Sequence, residues 1–415
     1  MKSHPIATPE QHEHERQALE LIRHPIVVEA YERVGAHWLE LANPSPAMRA
    51  CFDWAFAEVM FSAAIWSSNQ DPLRPKVIAI TRLAHPVGDL HIPGSRWGID
   101  NPDSIYRVIP ISGDEEYRIH GRVGERRMTE NYFTLWDPKM NTVDVLSGHD
   151  LVLDNDRNFT ISVDSKPADG RPNHVQSAPE AHEFYIRDVM LDWEKDEPNE
   201  LRIERLGDAP RIPPKTLDEQ ANLTAEFMLR YAEFTNRLSQ GSLHNKPNTF
   251  SLAWSADKGG ALRNQIYVGG HFKLADDEAF VVHVSDGGAA YFVVPIANIW
   301  GTTLDIVSRT STLNKAQSTA NADGTYTYVI SREDPGVANW LDPCDMDEGM
   351  LTLRMAEFPG KRPNDDLSAQ GEIIKFAELK NRLPEGTPWV TPKERAKQQV
   401  DRAAAYKRRL PELGE

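Results

Sequence analysis

Residues 156–163 read DRNFTISV and residues 323–330 read DGTYTYVI. Each opens on an Asp-led turn and continues as an alternation of β-branched or aromatic residues with polar ones, the pattern of a half-buried strand. The two stretches stand 167 positions apart, and working outward from them finds three further matched blocks. Upstream, EYRIH at 116–120 aligns with AFVVH at 279–283 and sets His120 opposite His283; Trp136 then falls opposite Trp300. Downstream, FYIR at 184–187 aligns with LTLR at 351–354 and sets Arg187 opposite Arg354. Because the offset stays between 163 and 167 over all four blocks, the chain reads as an internal duplication of one β unit.

The rest of the chain frames those copies with helices. From Glu10 to Ser68 apolar residues recur at helical spacing (Leu19, Ile22, Ile26; Tyr31, Val34, Trp38, Leu41; Phe52, Ala55, Phe56, Val59), broken by HPI at 24–26 and NPSP at 43–46, which predicts about three helices. After Pro75 come short runs such as SIYRVIPI, NYFTLWD and EFYIRDVMLDW, separated by Gly, Asp, Asn and Pro, the texture of a sandwich or barrel. LDEQANLTAEFMLRYAEFTNRL at 217–238 is a second helical stretch after the Pro-rich APRIPPK, and PKERAKQQVDRAAAYKRRL at 392–410 is a charged terminal helix that packs on or projects from the surface. The expected class is mainly β, divided as an N-terminal helical segment (1–94), a first sandwich (95–207), a helical connector (208–244), a second sandwich (245–360) and a helical tail (361–415).

Composition narrows the function. The 415 residues include 62 acidic and 46 basic ones, a net charge of -16, which disfavours nucleic acid as a partner because phosphate-backbone binding needs clustered Lys and Arg. Only Cys51 and Cys344 occur, without paired Cys/His spacing, so neither a disulfide framework nor a zinc site is read and no metal or other cofactor is expected. The N-terminal MKSHPIATPEQHEHERQ lacks the basic-then-apolar order of a signal peptide. DWAFAEVMFSAAIWSS at 53–68 is too short and too interrupted to span a bilayer. A cytoplasmic protein, with no membrane partner and either a monomer or a homo-oligomer, is the expectation.

The stretch SRTSTLNKAQSTANADGTYTYVISREDPGVANWLDPCDMDEGMLTLR at 308–354 resembles the C-terminal signature of the bacterial family catalogued as domain of unknown function 1214: an Arg with a Ser-Leu-Asn-like patch, a strand, then DPG, NWLD, a Gly and a strand carrying an Arg. WGIDNPDSIYR at 97–107 and the DW and EP of 192–198 extend the similarity over most of residues 95–358. The resemblance implies tandem jelly-roll-like β-sandwiches and supplies no agreed reaction. This chain departs from the family at Pro343-Cys344-Asp345-Met346, where small residues are usual.

The sequence holds no GxGxxG, GxxxxGK[ST], HExxH or GxSxG, so dinucleotide, P-loop, zinc-protease and α/β-hydrolase chemistry lose their main support. His12, Glu13 and His14 lie in a polar terminus and read as solvated; His85 and His91 lack a carboxylate or thiolate to complete a metal site. His283 is the candidate general base, with Asp334 and Asp342 as carboxylates to orient it; the alternative is a half-buried strand histidine with local hydrogen bonds. Arg309 offers a planar fork for an anion, with Ser311 and Asn314 around it, or else it pairs with the Asp334 loop and holds two loops together. Asn339 and Trp340 belong to a loop that the first copy lacks, so Trp340 is expected to line a pocket or plug the sandwich end, whereas Trp136 and Trp300 read as core. Arg187 and Arg354 read as structural ion pairs.

These residues point to a cleft at the second sandwich that takes a small-molecule ligand. One expectation is an enzyme without a nucleotide cofactor, doing acid/base chemistry (hydrolysis or elimination) on a small, partly apolar anion. The alternatives are a noncatalytic module for a carbohydrate or lipid-like ligand, and a structural or assembly protein.

Overall fold

The structure is a computed structural model that describes residues 4–253 and 265–410. The chain opens with helices α1 (Pro9–Leu21), α2 (Pro25–Ala42), α3 (Pro46–Ala50) and α4 (Phe52–Ser68). Prolines stand in the first turn of α1, α2 and α3, where a missing N–H costs nothing, and Thr8 and Ser45 cap α1 and α3. Strand β1 (Ile78–Ala79) and the hairpin β2 (His85–Val87) and β3 (Leu90–Ile92) lead to β4 (Ser104–Pro110), β5 (Tyr117–Arg122), β6 (Glu130–Trp136) and β7 (Thr142–Ser147). β8 (Asn158–Asp164), β9 (His174–Gln176), β10 (Glu183–Val189) and β11 (Glu200–Arg205) complete the first half. Helix α5 (Leu217–Leu243) begins with a Thr216/Glu219 capping box.

The second half holds β12 (Thr249–Ala253), β13 (Gln265–Lys273), β14 (Glu278–Ser285), β15 (Tyr291–Ala297), β16 (Thr312–Asn314), β17 (Tyr326–Ile330), β18 (Trp340–Leu341), β19 (Glu348–Ala356) and β20 (Ser368–Lys375). The short α6 (Leu379–Arg382) and α7 (Pro392–Lys407) follow.

The two halves correspond strand for strand. The first pairs a five-stranded sheet, β1-β4-β10-β6-β7, with a four-stranded one, β11-β5-β8-β9; the second repeats this as β12-β13-β19-β15-β16 and β20-β14-β17-β18. Even the one parallel pairing recurs, β8 with β9 and β17 with β18. His120 lies opposite Thr160 and His283 opposite Thr327. Arg187 lies between Tyr106 and Tyr132, and Arg354 between Tyr267 and Val293. This register corrects one matched pair: the counterpart of Trp136 is Ala297, and Trp300 lies beyond the end of β15.

Burial explains why the central strands show no clean alternation. β4, β6, β10 and β15 are buried along their whole length, so both faces of each five-stranded sheet are covered. On β10, Phe184 and Ile186 point into the core shared by the first half's two sheets, against Ile119, Phe133 and Ile161. Tyr185, Arg187 and Val189 point the other way. The four-stranded sheets face solvent on one side and alternate accordingly, as Tyr117 and Ile119 (buried) against Arg118 (exposed) show. The N-terminal helices and α5 pack together, with Trp66, Trp97, Phe227 and Tyr231 as an aromatic cluster. Trp38 and Trp300 meet edge to face in the same core. Among the described residues no helix is long and apolar enough to cross a membrane.

Candidate functional site

A cavity of about 710 Å³ lies where the outer faces of the two five-stranded sheets and α5 come together. Alternation places its wall: Ser104 and Tyr106 on β4, Tyr185, Arg187 and Val189 on β10, Gln265, Tyr267 and Gly269 on β13, Thr352 and Arg354 on β19. The equivalent pairs Tyr106/Tyr267 and Arg187/Arg354 thus enter one space from opposite halves.

The segment WGIDNPD at 97–103 ties that space together. Trp97 stacks on Tyr231 of α5 at 4.0 Å between centroids. Ile99 has φ 60, a true outlier for a β-branched residue. It is held there by its N–H donating to the Gly301 carbonyl at 2.8 Å and its carbonyl accepting from Arg354 Nη2. Gly301 has φ 74, and a Cβ there would sit 2.5 Å from Thr235 Cγ2 and 3.0 Å from the Ile99 nitrogen, so only glycine allows this approach. Strain over-determined in this way concentrates at functional sites. Asp100 accepts from the N–H and hydroxyl of Thr303, and Asp103 accepts from Tyr291 Oη (2.8 Å), Trp193 Nε1 (2.7 Å) and Asn314 Nδ2 (2.9 Å). The bonds from Thr303, Tyr291 and Asn314 cross between the halves.

Glu130 is the chemically unusual group of the wall. It is 1 % exposed, and burial together with the charge of Glu357 pushes its carboxyl up to about 8, against the opposing pull of Arg187 and Arg354. Gln265 Nε2 donates to it at 3.4 Å, and Glu357 accepts from Tyr132 Oη. The Arg187 guanidinium lies 4.6 Å from the Tyr185 ring and 5.4 Å from that of Trp136. Arg354 Nε is buried without a hydrogen-bond partner. Phe234 and Leu238 of α5, with Trp97 and Trp136, add apolar surface, while Arg237, Asp100, Asn101 and Ser242 keep other parts of the wall polar. A guanidinium with an unpartnered nitrogen, a carboxyl whose proton is held toward neutrality and aromatic side chains thus border one space.

The residues singled out in the sequence lie elsewhere and are each held by other groups of the fold. His283, on the four-stranded sheet, is hydrogen-bonded to Thr327 Oγ1 at 3.3 Å and faces Glu372 at 3.5 Å; neither Asp334 nor Asp342 is its partner. Arg309 makes a bidentate pair with Asp342 (2.7 Å twice) and also reaches Asp345, while Asp334 pairs with Arg395 of α7 at 2.9 Å. Arg309 therefore pairs with the stretch that carries Asp334, through Asp342 and Asp345 and not through Asp334 itself. Ser311 Oγ donates to the Asp305 carbonyl. Asn314 donates to Asp103 and to the Leu191 carbonyl. Asn339 ties Thr319 to Thr327, and Trp340, in the short strand β18, donates to the Ser331 carbonyl with Arg395 over its ring. The polar excess of NWLD thus fastens a loop and the terminal helix.

Arg187 and Arg354, read from sequence as structural pairs, instead line the cavity. Their matched positions, 167 apart, were the available signal, as was WGIDNPDSIYR, which supplies Trp97, Gly98, Ile99, Asp100, Asn101, Ser104 and Tyr106. Glu130 had no signal, because nothing local shows that its strand is buried on both faces. Among the described residues no group of three or more His, Cys, Asp or Glu is placed to hold a metal ion.

No family model and no curated protein matches the chain. Among solved structures, an uncharacterized protein from Burkholderia cenocepacia superposes with a TM-score of 0.74 at 23% identity, covering 87% of this chain and 100% of that one. This likeness establishes a shared fold. A Vibrio parahaemolyticus protein matches with a TM-score of 0.41 at 10% identity, over 67% of this chain and 90% of that one.

Proposed function

We propose that the cavity between the two five-stranded sheets binds a small, partly apolar anion and that Glu130 exchanges a proton with it, in hydrolysis or elimination without a nucleotide cofactor. The observation that carries this reading is Glu130: a fully buried carboxyl in a cavity wall, poised near pH 8 between two arginines. Arg354, with its unpartnered Nε, supplies a donor for the anionic group. Trp97, Trp136 and Phe234 supply the surface for the apolar part. In its ionised form Glu130 takes a proton from the substrate carbon or from an attacking water; in its protonated form it returns one to the leaving group.

The same reading takes each half as a jelly-roll-like sandwich and the pair as an internal duplication, in the manner of domain of unknown function 1214. The one-to-one strand order supports it. A noncatalytic module for a carbohydrate or lipid-like ligand is the second reading, and the aromatic wall favours it.

Screening carboxylates, sulfonates and phosphate esters by thermal shift identifies binders, and Glu130→Gln and Arg354→Lys then separate the readings. Glu130→Gln is expected to keep binding and lose turnover, with the inflection near pH 8 gone. Binding in both variants with no turnover by the parent on any binder leaves the noncatalytic reading. If neither substitution alters binding or turnover, the cavity is not the site.

A further inference from the structure

The cavity between the two five-stranded sheets has a buried end and an open one. Ile99, Glu130 and Arg354 lie at the first, all buried. At the second, the wall residues Arg237, Leu238, Gly241 and Ser251 are exposed, and Gly241, Ser242, Ser251 and Gly269 bound a port of small side chains between α5 and the β12–β13 pair. The α5 residues of the wall, Phe234, Arg237, Leu238, Gly241 and Ser242, recur every three or four positions and so share one face. From Phe234 to Ser242 that face runs about 12 Å. A path of contacts joins the two ends. Arg354 Nη2 donates to the Ile99 carbonyl, and Trp97 stands two residues before Ile99. The Trp97 and Phe234 rings lie 5.9 Å apart, and the Arg237 guanidinium lies 5.8 Å from the Phe234 ring. A guanidinium thus stands at each end of an aromatic wall, and neither forms an ion pair among the described residues. Glu233, one turn before Arg237 and the usual helix partner of such an arginine, faces His37 at 3.5 Å instead.

Resting on the reading that this cavity binds a partly apolar anion, we infer that its ligand is a diacid with an apolar spacer, lying with one acid group at Arg354 and the other at Arg237 in the port. A monoanion leaves one of the two guanidiniums beside aromatic surface without a counter-charge. A planar fork at each end suits a carboxylate at each end, and Trp97 and Phe234 between them suit an aliphatic or aromatic spacer. The two ends differ in strength. Arg354 meets its acid group away from water, whereas Arg237 works in contact with solvent, where an ion pair is weak and salt screens it. Arg237 therefore reads whether a second charge is present at the right reach, and it touches no reacting atom: it sets specificity.

The test measures, by calorimetry on the full-length protein, the affinities of the linear diacids from adipate to sebacate and of terephthalate, each beside its monomethyl ester. The best diacid is expected to bind about fivefold more tightly than its monoester at low salt, with the margin shrinking at high salt. Arg237→Gln, at an exposed helix position, is expected to stay folded and to bring the diacid down to the affinity of the monoester. Arg354→Lys is expected to weaken diacid and monoester alike. Monoesters that bind as well as their diacids, or a margin that survives Arg237→Gln, overturn the diacid assignment. If Arg354→Lys still weakens those monoesters, the cavity stands as a monoanion site. Should neither series bind, the diacid assignment is overturned, and the cavity reading stands or falls by the effect of Arg354→Lys on the binders from the wider screen.

Discussion

Glu130 and Tyr291 occupy the same place in the two halves: Glu130 lies opposite Val189 on β10, and Tyr291 lies opposite Ala356 on β19. Their surroundings differ. Glu130 borders the cavity as a carboxyl held near neutrality, whereas the Tyr291 phenol donates to Asp103 and cements the two halves. A second divergence lies beside it. The first half buries the ion pair Arg107–Asp188, and the corresponding positions of the second are Val268 and Met355. Matching backbones with unlike contents teach that the strand order is set by the pattern of apolar faces, while individual buried polar groups are free to specialise.

The largest expected effect comes from breaking that ion pair on one side. Arg107→Ala leaves Asp188 charged and buried and is expected to cost about 3–5 kcal/mol in urea-induced unfolding. Arg107→Val with Asp188→Met, which copies the second half, is expected to cost less than either single change. A double variant that is worse than both singles breaks the equivalence of the halves.

Glu130→Gln follows, with the opposite sign. The folded carboxyl keeps its proton to about pH 8 while the unfolded one loses it near the ordinary 4.5. Stability in this respect is therefore greatest below that lower value and falls as the pH rises toward 8. The glutamine variant is expected to be more stable than the parent at pH 7 by on the order of 2–3 kcal/mol, and to lose that slope. Thermal melts from pH 4 to 9 check it.

Tyr291→Phe removes one of three donors to Asp103 and is expected to cost about 1–3 kcal/mol by the same urea assay. His283→Ala, which breaks a half-exposed pair, is expected to change stability by less than about 0.5 kcal/mol. It is also expected to leave ligand binding untouched, as a thermal-shift series will show.

How much of this was legible in the sequence depended on where each residue faces. The helix breaks at HPI (24–26) and NPSP (43–46) were plain, and the matched strands were plain because their blocks recur at offsets of 163 to 167, with Asp156 and Asp323 opening equivalent turns. The site was not plain. In a strand covered on both faces, Tyr185 and Phe184 look alike as apolar letters, and only the meeting of two sheets some 160 residues apart decides which one borders a cavity. Local polarity misled in the same way. Arg309, Asn339 and Asp342 form a dense polar patch whose hydrogen bonds close on one another and on their own loops, while Glu130 stands alone in NYFTLW-like surroundings and gathers its electrostatic character from distant Glu357, Arg187 and Arg354.

Joining the two halves in one polypeptide has a genetic consequence at the seam. Had two separate copies of a single unit met through these faces, every substitution would have appeared twice, and a carboxyl at the Glu130 position would have required another at the Tyr291 position. One gene carrying both units lets a mutation land on one wall alone. The acid of one half and the phenol of the other can then be selected independently, the first bordering the cavity and the second fastening the halves.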